Sequence, residues 1–108
     1  MDLQSAQTIY LELKTSKLDV LVNPMLKAAI RYARLRVDWL QSDDQFRAEM
    51  ELERTAAHNA FISQCDIVAR NMSKLGEDSS WRRKIGIDRK DIGDFACMLH
   101  AVMGITAR

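Results

Sequence analysis

DDQFRAEMELERTAAHNAFISQCDIVARNMSKL, residues 43–75, runs without a proline or a glycine. Along it Phe46, Met50, Ala57, Phe61, Val68, Met72 and Leu75 stay near one face at 100° per residue, which predicts a single amphipathic helix. Its length would be about 30 residues, or roughly 45 Å at 1.5 Å per residue. Ser42 and Gln45 have capping-box spacing at its start, with Asp43 and Asp44 placed against the positive end of the helix dipole. Gly76 follows as a left-handed C-terminal cap. A helix of this length in a chain of 108 residues commits the rest of the molecule to packing against it.

Outward from that helix the pattern remains helical. Leu3, Ala6, Ile9, Tyr10 and Leu13 recur at three- and four-residue spacing and predict a first helix from Leu3 to about Lys14. Asn23-Pro24 reads as a boundary, with Asn23 as N-cap and Pro24 as the first residue of a second helix ending at Gln41. Its apolar face is Met25, Leu26, Ala29, Ile30, Ala33, Val37 and Leu40. The polar segment 77–87 reads as a loop with one helical turn around Trp81. Asp88 and Asp91 open a last helix whose buried face is Ile92, Phe95, Ala96, Leu99, Val102 and Met103, and Gly104 is expected to end it. The prediction is an all-α single domain: a small, mainly antiparallel four-helix bundle with one long third helix.

Composition limits what such a domain can do. Apolar residues make up 47% and charged residues 29%, with four glycines and one proline, the profile of an ordinary globular helical protein. No stretch approaches the length of apolar sequence that spans a bilayer, and the N-terminus lacks the pattern of an export signal, so a cytoplasmic protein without membrane contact is expected. Cys65 and Cys97 are distant in sequence and read as reduced thiols. A net charge of +1 argues against bulk attraction to a polyanion.

Three groups of residues are candidates for function. On the last helix Gly93, Cys97, His100 and Gly104 recur at four, three and four residues. This second face permits close helix approach and makes the helix nearly apolar or small all round, as in a central helix or a subunit interface. With Trp81 as a surface anchor, they support a protein–protein interaction module that forms an isologous dimer through this helix or the long third helix, or that docks a partner protein. Lys27, Arg31 and Arg34 share one face of the second helix, near Arg36. Together with Arg82, Arg83 and Lys84 they form an alternative nucleic-acid-binding set. The same basic stripe is explained more simply by ion pairs to Asp43, Asp44, Glu49, Glu51 and Glu53 across the hairpin, Arg31 falling opposite Glu53 and Arg34 opposite Met50. Trp81, likewise, can fold onto the end of the third helix with its flanking charges solvated.

His58, Cys65, Cys97 and His100 are the third group, a metal or redox set if the two helices cross at the right height. Against that, a cysteine on a helix flank more often fills a core, and His100 near a helix C-terminus interacts favourably with the dipole. No glycine-rich phosphate loop, nucleophile elbow, HExxH motif or paired Glu-x-x-His set is present. The expectation is therefore a non-enzymatic module without a cofactor.

Overall fold

The long helix forms as its sequence requires, but its cap is one residue further on. In the computed structural model, which describes residues 1–106, the Asp43 carboxylate accepts the Phe46 amide at 2.9 Å and serves as N-cap. Ser42 instead closes the preceding helix, its hydroxyl donating to the Asp38 carbonyl. That last-turn carbonyl has no helical partner of its own and draws the hydroxyl back, so no box forms with Gln45. At the other end Gly76 takes φ +74°, and the Glu77 and Gly76 amides donate to the Met72 and Ser73 carbonyls at 2.9 and 3.1 Å. These two bonds make a Schellman stop, as a glycine after the last apolar position predicts.

Five helices and no strand occur among the described residues: α1 (Leu3–Thr15), α2 (Asp19–Gln41), α3 (Asp44–Lys74), α4 (Trp81–Ile85) and α5 (Arg89–Thr106). The molecule measures 47 × 29 × 23 Å, and α3, at about 1.5 Å per residue, accounts for the long axis. α2 returns antiparallel along α3 through the short turn at Ser42 and Asp43. α5 packs on α1, α2, α3 and α4, so it is the central helix. Its nearly all-round apolar character is thereby explained inside one chain.

Two boundaries differ from the expectation. Pro24 lies inside α2, which begins at Asp19. The Leu18 carbonyl accepts from the Leu21 and Val22 amides at 2.8 and 2.9 Å, setting the first turn before the proline is reached. The bond Pro24 forgoes would have gone to the Val20 carbonyl, at a residue that is 80% exposed. Val22 is fully buried beside Met25, Leu26 and Ala29. Continuing the apolar face outweighs the local preference to start at proline. Gly104 likewise lies within α5, which runs on to Thr106. A glycine lowers helix stability by about 1 kcal/mol without forcing an end, and the Thr106 hydroxyl bonds the Val102 carbonyl at 2.8 Å.

α4 is the helical turn expected in the 77–87 segment, and it closes the end of the core. Trp81 is completely buried, its indole N–H facing the Met72 sulfur at 3.4 Å. Arg82 fastens the turn to α3 through Asp66 at 2.7 Å and to the Gly86 carbonyl at 2.8 Å. Trp81 is thus a core residue and not a surface anchor. Phe61 of α3 and Phe95 of α5 meet at the centre of the core with ring centroids 6.1 Å apart.

A candidate cationic cleft at the alpha2–alpha3 hairpin

Trp39 stands on the last turn of α2 and is clamped across the hairpin by α3. The guanidinium of Arg47 lies 4.5 Å from the indole centroid and that of Arg54 lies 4.7 Å from it, both within cation–π range. Arg47 also donates to the Trp39 carbonyl at 2.9 Å and the Leu40 carbonyl at 3.1 Å, satisfying acceptors at the end of α2. One side chain therefore caps α2 and holds its aromatic residue.

Deeper in the hairpin, Tyr32 of α2 stacks on His58 of α3 with centroids 4.7 Å apart and planes at 24°. Gly93 of α5 makes room for this stack, since a Cβ there would lie 2.8 Å from the Tyr32 hydroxyl. His58 Nε2 is 2.8 Å from the Arg89 carbonyl, a bond that requires Nε2 to carry the proton. Its Nδ1 then faces the Arg89 guanidinium at 3.4 Å as an acceptor, which only the neutral ring can be. Burial holds His58 below its ordinary pKa of 6.5; the charges of Arg89, Arg54 and Arg36 lower it further, against an opposing contribution from the Arg89 carbonyl.

Between these layers lies a cleft of about 220 Å³ lined by Tyr32, Arg36, Trp39, Leu40, Arg54, His58 and Lys90. Arg36 bonds Asp94 at 2.7 Å and approaches the Cys97 sulfur at 3.8 Å; Arg54 bonds Glu51 at 2.9 Å. Arg54 Nε and Trp39 Nε1 are sealed from solvent without a hydrogen-bond partner, and the hydrogen bond from Arg54 holds the Glu51 carboxyl below its ordinary range. Lys90 is exposed and in no ion pair among the described residues. Four cations thus surround the cleft, counting Arg89 behind His58, against the carboxylates of Asp94 and Glu51.

The residues singled out from the sequence are distributed differently. Gly93 and Cys97 face α2 within the chain, through Tyr32 and Arg36. His100 is half-buried, and Gly104 is exposed with nothing within 4 Å of an added Cβ. The Gly93–Gly104 stripe is therefore not one open face, and its first half is spent on internal packing. His58, Cys65, Cys97 and His100 do not converge, and no group of three potential metal ligands forms among the described residues. Cys65 is fully buried, burial pushing its thiol up to about 12; Cys97 is also raised by burial, with Arg36 opposing.

Lys27, Arg31 and Arg34 are exposed and make no ion pair; the pairs among the described residues are Arg36–Asp94, Arg54–Glu51 and Arg82–Asp66. The expected pairing of Arg31 and its neighbours with the acidic start of α3 does not occur. At 100° per residue these bases project opposite Met25 and Ala29, the face α2 buries, and so point away from α3. Arg82 is committed to Asp66. Arg83 and Lys84 are exposed on α4, where Lys84 lines hollows with α1 and α5 residues, so the basic residues form separate patches.

Sequence reasoning passed over Trp39 and Arg54, and took Arg89 and Lys90 only as a continuation of the basic run after Trp81. The available signal was the near-symmetry of Trp39 and Arg47 about the turn at Ser42 and Asp43, which brings an indole and a guanidinium together in any tight helical hairpin. No protein-family model matches the chain, and no curated protein or solved structure is found to resemble it. Among the described residues no helix is long and apolar enough to cross a membrane.

Proposed function

We propose that the protein is a non-enzymatic helical interaction module that self-associates through the outer surface of its α2–α3 hairpin. The observation that carries this reading is the unpaired charge on that hairpin. Lys27, Arg31 and Arg34 on α2 and Asp44, Glu49 and Glu53 on α3 are exposed and in no ion pair among the described residues. Val37, Phe46 and Leu52 lie exposed on the same two helices, at 49, 57 and 84%. Unpaired bases on one helix and unpaired acids on the other can engage their counterparts on a second copy, as an isologous two-fold contact requires. The interface proposed from α5 moves to the hairpin, because Gly93 and Cys97 are spent on packing within the chain. A reducing, cytoplasmic setting accords with two free cysteines.

The test is the mass of the untagged protein in solution. A dimer that weakens when Leu52 and Phe46 are both replaced by serine supports the reading. A monomer at every concentration removes it.

A second reading, salt-dependent nucleic-acid binding, is favoured by the same exposure of Lys27, Arg31 and Arg34, since no acid among the described residues pairs with them. It predicts retention of DNA or RNA that falls steeply with salt and is abolished by Lys27→Ala, Arg31→Ala and Arg34→Ala together. Undetectable binding at low salt eliminates it.

A further inference from the structure

The cleft between the hairpin and the start of α5 has a chemistry that hairpin association does not use. We propose that it binds an oxyanion, a carboxylate or phosphate carried on a small apolar body. Arg36, Arg54 and Lys90 line it, and Arg89 stands behind its His58 wall. Arg36 commits one terminal nitrogen to Asp94 and Arg54 one to Glu51, leaving other donors of each guanidinium free. Lys90 adds a charge that no carboxylate among the described residues engages.

The remaining wall is apolar: Leu40 is exposed, and Tyr32 and Trp39 complete the lining. At about 220 Å³ the cleft is smaller than the roughly 300–1,000 Å³ that holds a drug-sized ligand. Its occupant is accordingly a single ring or a short acyl chain with one charged head. The cationic surplus excludes an ammonium of the same shape.

The chain contains two tryptophans, one lining the cleft and one buried in the core at the start of α4, so their indole N–H resonances provide a probe and an internal control. The ¹⁵N-labelled protein, with the signals assigned by Trp39→Phe, is titrated with benzoate, phenyl phosphate, benzyl alcohol and benzylammonium. Benzoate or phenyl phosphate shifts the Trp39 indole saturably, with half-saturation on the order of 1 mM as for a fragment-sized ligand, and leaves Trp81 in place. The alcohol and the ammonium do not. Lys90→Glu raises the half-saturation concentration about tenfold, the scale of one lost charge contact, with the Trp81 signal certifying the fold. The proposal is overturned if neither oxyanion moves the Trp39 signal, if benzyl alcohol moves it equally, or if Lys90→Glu has no effect. None of these outcomes depends on the hairpin self-associating.

Discussion

Tyr32 lies across α5 at Gly93, in a space that any larger residue would fill: an added Cβ would stand 2.8 Å from the phenol oxygen and 3.1 Å from the ring. Gly93 therefore sets the position of Tyr32, and through the stack, that of His58. Gly93→Leu should destabilise the monomer by about 1–3 kcal/mol, the usual cost of overpacking. Gly104→Ala, with open space at its Cβ, should leave stability unchanged or raise it by up to about 1 kcal/mol through helix propensity. Urea unfolding of the two variants measures the contrast. Equal stability in both would contradict the assignment of Gly93 to internal packing.

The His58 site gives stability a dependence on pH. The groups around it are Tyr32 and Arg36 on α2, Arg54 on its own helix, and Arg89, Lys90 and Asp94 on α5. Its folded pKa is lowered, so below about pH 6.5 the unfolded chain takes up the proton first. The stabilisation is complete above the unfolded value and declines as pH falls from there through the folded one. The urea midpoint should drop between pH 7 and 5.5 in the wild type and drop less in His58→Gln. Parallel profiles would show that another group is responsible.

Trp81 closes the end of the core, and its removal opens a cavity beside Met72. Trp81→Ala should cost about 3–5 kcal/mol, whereas Arg83→Ala on the exposed face of the same turn should stay within about 0.5 kcal/mol. Thermal unfolding of the pair distinguishes a core tryptophan from a surface one, since a surface anchor would leave the melting temperature nearly unchanged.

The N-cap of α3 is a carboxylate, and its replacement tests the revised boundary. Asp43→Ala should destabilise by about 0.5–2 kcal/mol. Gln45→Ala should be close to neutral, because no capping-box bond joins Gln45 to Ser42. Chemical denaturation of the two variants decides between the caps, and a larger loss from Gln45→Ala would restore the box.

The helices were legible in the sequence wherever an apolar face repeated without competition, above all in α3, whose unbroken length and glycine stop fixed its end. The start of α2 was not, since the preference of Pro24 for a first turn is local while the burial of Val22 is tertiary. The face holding Gly93, Cys97 and Gly104 was visible as a stripe of small residues, but periodicity cannot say whether such a stripe meets the same chain or another. The basic stripe of α2 was correctly read as one face. Its pairing with α3 failed because the rotation of α2 about its own axis, set by Met25, Ala29 and Tyr32 in the core, turns that face outward. The cleft draws its cations from three helices, and their convergence has no counterpart in spacing along the chain.

Sedimentation of the untagged protein across concentration, at low and at high salt, tests hairpin self-association most directly. The account predicts a dimer forming by about 100 µM at low salt, a range typical of weak interfaces. High salt should weaken it as the charge pairs between hairpins are screened, and Phe46→Ser with Leu52→Ser should abolish it without loss of helical content. A monomer under every condition, or a dimer indifferent to both salt and the double substitution, would contradict it.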